Sequence, residues 1–158
     1  MPTYDGGKAA QLRCYCGAVR YTIELQSPDE EARSSMCHCK NCSKFTGCTY
    51  GLTIMIPKLS LTYTAGTSAK GENDGALKTH TADNGSGSQL TRWFCQVCGT
   101  GIAEVGETVK YKQRYVFAGT LDDKEADIAR PKGEFFTKYR ASWLQPVEGA
   151  FQKKEIKE

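Results

Sequence analysis

Short stretches in which apolar and polar side chains alternate recur along this chain, separated by glycine, proline and small polar residues. Gly17–Leu25 is the first, with Val19, Tyr21, Ile23 and Leu25 on one side and Arg20, Thr22 and Glu24 on the other. That period of two is the signature of a half-buried strand. Thr49–Ile56 is the next, ended by Pro57, and Leu59–Thr64 follows, closed by Gly66. Gln89–Phe94, Gly101–Val105, Val109–Phe117 and Glu134–Tyr139 are further strands by the same pattern. Between Gly66 and Gly87 the composition turns to Gly, Asn, Asp, Ser and Thr, which predicts a long surface loop with a short strand near Leu77–Thr81. Ser27–Arg33 opens Ser-Pro-Asp and predicts a charged turn. Asp122–Ala129 is the best helix candidate, and it is short. Many short strands at roughly 8–12-residue spacing make the chain mainly β. Trp93, Phe94 and Trp143 are expected in the core.

The length of 158 residues fits one domain that can bury a real core. Residues 1–10 read as a lead-in, 11–148 as the domain and 149–158 as a charged, solvated tail. The 21 Lys and Arg stand against 18 Asp and Glu, a net charge of +3. The basic residues are scattered, so no face or stripe of the kind nucleic acid requires is visible. No apolar run approaches the ~20 residues of a membrane span. Met1–Lys8 carries no apolar stretch of the secretory kind. The expectation is a cytoplasmic protein with reduced thiols.

That expectation decides how the eight cysteines are read. Seven fall into three tight clusters: Cys14 and Cys16; Cys37, Cys39 and Cys42; Cys95 and Cys98. A reducing compartment disfavours disulfides, and Cys-x-Cys and Cys-x-x-Cys spacings converge thiolates on one point, as a metal needs. Cys14-Tyr-Cys16 and Cys95-Gln-Val-Cys98 each run into a glycine, which permits the tight turn of a metal knuckle. One zinc held by both pairs would be fully ligated and structural. Cys37-His38-Cys39-Lys40-Asn41-Cys42 offers three thiolates of its own. Either Cys48 or His38 completes a second structural site, or the fourth position is open to water or an incoming thiol. His38 is poorly placed to join, because a residue between two ligands tends to point away from their ion. Cys48 leads into an apolar strand and reads as a buried cysteine.

The charge of the open arrangement suggests its chemistry. Three thiolates leave Zn²⁺ with a net negative complex, a weak Lewis acid, whereas zinc that activates water usually keeps neutral His ligands. A thiolate-rich zinc suits holding a further sulfur and deprotonating it. A free thiol titrates near ~8.5 and is mostly protonated at neutral pH.

These clusters resemble, in order and spacing, the glutathione-dependent formaldehyde-activating enzyme family, also known as the centromere protein V domain family. Cys14-Tyr-Cys16-Gly17-Ala18-Val19 resembles its opening strand. Cys37 to Gly47 resembles its central knuckle, and Phe94-Cys95-Gln96-Val97-Cys98-Gly99 its Phe-Cys-x-x-Cys-Gly signature. Gly119–Asp122, Arg130-Pro131 and Arg140–Trp143 resemble its C-terminal elements. The resemblance implies a β-tent fold of several small antiparallel sheets. It implies structural zinc at Cys14, Cys16, Cys95 and Cys98, and catalytic zinc at Cys37, Cys39 and Cys42. The activity it implies is a carbon–sulfur lyase reaction that forms or breaks S-(hydroxymethyl)glutathione, with glutathione or another small thiol as partner.

Glutathione carries two carboxylates, so cations should line the pocket. Lys40, Lys44 and Arg92 lie near the motifs, though each reads individually as a solvated surface charge. His38 could shuttle a proton or be a hydrogen-bonded structural histidine, and His80 stands alone in the polar loop. Two rival readings stand beside the lyase: a non-catalytic zinc module that binds a protein partner, and a specialised-metabolism enzyme using the same zinc on another substrate.

Overall fold

The computed structural model describes residues 9–68, 75–123 and 127–156. Eleven strands among them form two sheets. The smaller sheet joins β1 (Ala9–Arg13), β2 (Arg20–Glu24) and β5 (Leu61–Ala65), all antiparallel, in the order β1-β2-β5.

The larger sheet contains β3 (Arg33–Cys37), β4 (Gly51–Pro57), β6 (Leu77–Asp83), β7 (Gln89–Cys95), β8 (Gly101–Gly106), β9 (Gln113–Phe117), β10 (Gly133–Phe135) and β11 (Phe151–Gln152). Its order is β11-β10-β3-β4-β9-β8-β7-β6. Pairing is antiparallel from β3 to β6, while β10 lies parallel to both β3 and β11. The mainly β reading holds, with only short helices.

Alternation explains where the core sits. The apolar positions of β2 and β1, Tyr21, Ile23 and Leu12, form one buried cluster with Ile54 and Ile56 of β4, Ala103 and Val105 of β8 and Val116 of β9. Fully burying side chains of this size stabilises by about 1.5–3 kcal/mol each. The Tyr21 hydroxyl meets the Thr120 hydroxyl and the Ile102 carbonyl, which satisfies its polar tip inside the core. Residues on the opposite face of the larger sheet, among them Arg33, Ser35, Cys37, Thr53, Met55, Glu104, Tyr115 and Phe117, are only half-buried.

Two α-helices break the β pattern, α1 (Pro28–Glu31) and α2 (Lys40–Thr46). The first occupies the expected charged turn. The second has no apolar stripe; its ends hold it. Cys39 caps its N-terminus, its sulfur accepting from the Cys42 N–H at 3.2 Å. Gly47 closes the C-terminus at φ 67°, a left-handed conformation that favours glycine. Of the candidate helix Asp122–Ala129, residues 124–126 lie outside the described residues, and Asp127–Ala129 forms a 3-10 turn. Among the described residues no helix is long and apolar enough to cross a membrane.

Candidate metal centres

The strands bring the outer cysteine pairs together. Cys14 and Cys16 follow β1, and the turn they form is closed by the Gly17 N–H donating to the Cys14 carbonyl at 3.0 Å. Cys95 ends β7, and the Gly99 N–H donates to its carbonyl at 2.8 Å. Both glycines adopt positive φ, 76° and 79°, as the knuckle turns require. The ligand sulfurs of Cys14, Cys16, Cys95 and Cys98 all lie within 4.8 Å of one another. Cys14 and Cys16 are 3.6 Å apart, and Cys16 and Cys95 3.8 Å. Four sulfurs about 2.3 Å from a tetrahedral zinc stand about 3.8 Å apart, so this donor set fits the ion.

Backbone and hydroxyl donors support these sulfurs. The Val19 N–H donates to Cys14 Sγ at 3.2 Å. Thr100 Oγ1 lies 3.1 Å from Cys98 Sγ and accepts from the Tyr15 N–H, so it links the two knuckles. Burial pushes the Cys95 thiol up to about 12. Burial also acts to raise Cys98, but the Thr100 hydroxyl and the surrounding hydrogen bonds outweigh it and bring that thiol down to about 6.

Cys37, Cys39 and Cys42 form the second cluster, their sulfurs again within 4.8 Å of one another. Cys37 ends β3, Cys39 caps α2 and Cys42 lies in its first turn. Cys39 and Cys42 are 3.0 Å apart. Hydrogen bonds from Cys37 and Cys42 hold the Cys39 thiol down at about 2. The same sharing pushes Cys37 up to about 12 and raises Cys42 as well. No fourth His, Cys, Asp or Glu joins this group among the described residues.

His38 turns the other way, into the interior, with 2% of its surface exposed. Its Nε2 meets Glu134 Oε1 at 2.8 Å, and its Nδ1 is buried without a partner. Because a carboxylate accepts, the proton sits on Nε2. Glu134 Oε2 also accepts from the Val147 N–H at 2.8 Å and from Gln152 Nε2 at 2.7 Å, and Arg140 Nη2 lies 3.3 Å from Oε1. Burial acts to raise the Glu134 carboxyl, but these donors outweigh it and hold it at about 2. Nothing in the local sequence marks Glu134 as a partner of His38. It lies in β10 beside β3, and only the parallel pairing of those strands joins the two residues.

Several expectations need correction. Cys48 is exposed, not buried, and lies outside both clusters. Trp143 is 69% exposed and not in the core. Arg92 is not a solvated charge: it is buried, its Nε donates to Glu104 Oε2 at 2.8 Å, and its guanidinium stands 4.4 Å from the centre of the Phe45 ring. Lys40, Lys44 and His80 are exposed, and Trp93 is buried as expected. Burial raises the Glu104 carboxyl despite the Arg92 guanidinium beside it.

The described residues thus form a two-sheet β protein that carries one cluster of four cysteines and another of three, each with a donor set that could hold a metal ion. The family model described as "Glutathione-dependent formaldehyde-activating enzyme" matches residues 9–139, and the chain belongs to that family. Among solved structures, a Rhodobacter sphaeroides protein that was a Northeast Structural Genomics target is similar in fold, with a TM-score of 0.51 and 21% identity. The match covers 72% of this chain and 88% of that one. A search among curated proteins found no match.

Proposed function

We propose that this protein is a zinc-dependent carbon–sulfur lyase that joins a small thiol, such as glutathione, to an aldehyde such as formaldehyde, or reverses that addition. The observation that carries the reading is the contrast between the two clusters. Four sulfurs close one site, whereas the three of Cys37, Cys39 and Cys42 leave a ligand position. The family's own description supports both the thiol and the aldehyde.

Cys14, Cys16, Cys95 and Cys98 hold the structural zinc, and Cys37, Cys39 and Cys42 the catalytic one. Zinc carried by three thiolates supplies a place where a fourth sulfur is held and deprotonated. The chain's own groups orient that event. Cys39 and Cys42 are fixed by the first turn of α2, and His38, bonded to Glu134, fixes the backbone between Cys37 and Cys39. In the addition, the substrate sulfur forms a bond to the aldehyde carbon and the carbonyl π pair moves to oxygen. The proton that left the thiol ends on that oxygen. In the reverse direction the hydroxyl proton leaves, the carbon–oxygen double bond re-forms and the carbon–sulfur pair returns to sulfur.

The test is a titration of glutathione into cobalt-substituted protein, following the thiolate-to-metal charge-transfer band. Two metals per chain and a band that responds to glutathione are expected. A Cys42→Ser variant that keeps two tightly bound metals and an unchanged response overturns the assignment.

A further inference from the structure

The half-buried face of the larger sheet carries more than Cys37. Strand register aligns one row across five strands: Arg33 opposite Met55, Met55 opposite Tyr115, Tyr115 opposite Glu104 and Glu104 opposite Arg92. Cys37 stands on the same face of β3 as Arg33, with Ser35 between them. Four residues of extended chain separate Arg33 from Cys37 by about 14 Å along the strand.

The charges in this row do not cancel. Glu104 and Arg92 pair at 2.8 Å. Arg33 pairs with no carboxylate among the described residues, and its Nε is buried with no hydrogen-bond partner. Its guanidinium stands 5.9 Å from the centre of the Phe135 ring, and Phe135 is the register partner of Cys37. The side chain therefore leans along the sheet toward the cysteine end. Arg92 Nη2, at the other end of the row, is also buried without an acceptor. A partly desolvated cation without a counter-charge is costly, and an anion brought by a ligand removes that cost.

Resting on the thiol-lyase reading above, we propose that Arg33 is the specificity residue of the three-cysteine site and binds a carboxylate at the far end of a thiol substrate. The substrate sulfur lies at Cys37, Cys39 and Cys42, and its tail runs over Phe135 and Ser35 to Arg33. The substrate class is then an extended thiol with a remote carboxylate, a small thiol peptide. Short uncharged thiols reach the cysteines but not the arginine.

The experiment compares glutathione with its diethyl ester, which keeps the thiol and loses both carboxylate charges, using the cobalt charge-transfer band of the metal-loaded protein. Wild type is expected to bind glutathione at least tenfold more tightly than the ester, an advantage that shrinks as salt rises. Arg33→Gln is expected to reduce glutathione binding to the level of the ester and to leave the ester unchanged, and Arg33→Lys to recover part of the loss. Equal binding of both thiols by wild type, or an equal effect of Arg33→Gln on both, overturns the assignment while leaving the thiol site standing. If neither thiol perturbs the band, the thiol site and the anchor fall together. Equal wild-type binding of the two thiols overturns the anchor without any variant, and Arg33→Lys, which keeps the charge, carries the assignment to Arg33 if Arg33→Gln does not fold.

Discussion

The carboxylate of Glu134 stands 2.8 Å from Nε2 of His38, with both side chains fully enclosed. His38 sits between two of the three clustered cysteines, and Glu134 accepts at the same time from Val147 and Gln152 near the end of the described chain. The knuckle that carries Cys37 and Cys39 is thereby tied to β11. Taking a hydrogen-bond donor away from a buried carboxylate leaves its charge poorly satisfied, a loss of about 1–3 kcal/mol or more.

Glu134→Gln keeps the shape of the side chain but removes the charge, so a loss of about 2–4 kcal/mol is expected in denaturant melts at pH 7. The pH dependence follows from the depressed carboxyl. Its contribution is fully present above the ordinary value of 4.5 and is lost as pH falls toward about 2. The stability difference between wild type and variant should stay constant from pH 7 to about 4.5 and narrow below it. A difference that grows on acidification contradicts the charge role.

Cys95→Ser opens the four-cysteine cluster that joins the end of β1 to the end of β7. The expected cost exceeds about 4 kcal/mol, in the range that marks loss of a metal or a core contact. Circular dichroism melts together with metal analysis read this. A variant as stable as wild type argues against a structural role for that cluster.

Cys42→Ser should behave differently. It sits in the three-residue cluster, so one metal per chain should be lost while the fold and the other metal remain. Turnover of S-(hydroxymethyl)glutathione should fall by at least 100-fold. Native mass spectrometry for metal content and an aldehyde-release assay provide the two readouts.

Gly101→Ala tests the seat of α2. A Cβ at Gly101 would stand 2.9 Å from Phe45 Cε1 and 3.3 Å from the Phe117 ring. Those rings are stacked 5.6 Å apart and Arg92 covers Phe45, so neither moves freely. Overpacking of this kind costs about 1–3 kcal/mol. Because Phe45 shares α2 with Cys42, affinity for the second metal should fall along with stability, as metal-chelator competition would reveal.

Strands with alternating side chains were legible in the sequence because one face of each meets the core; β2, β4 and β5 show this directly. β3 was not, because Arg33-Ser34-Ser35 lacks apolar alternation. Its polar side chains are accommodated by partners that the sequence does not place nearby, such as the Ala129 carbonyl, which accepts from Ser34 Oγ at 3.0 Å. α2 escaped notice for a related reason. Its seven residues bury none of their side chains fully, and its N-cap is a cysteine instead of the usual Ser, Thr, Asp or Asn. The cysteine clusters were legible from spacing alone. Their surroundings were not, since Glu134 reaches His38 across 96 residues and Arg33 acquires its neighbours only through strand register.

The two clusters also differ in how far apart their parts lie along the chain, and synthesis turns that distance into time. Cys37, Cys39 and Cys42 leave the ribosome within one short segment. Cys16 must wait for Cys95, 79 residues later. At about 5–20 residues per second the interval is roughly 4–16 s. During it, Cys14 and Cys16 lack the second pair of sulfurs that surrounds them in the folded chain, although all three strands of the smaller sheet have already been made. If both clusters take metal, the three sulfurs of Cys37, Cys39 and Cys42 are all available before the last two ligands of the four-cysteine cluster exist.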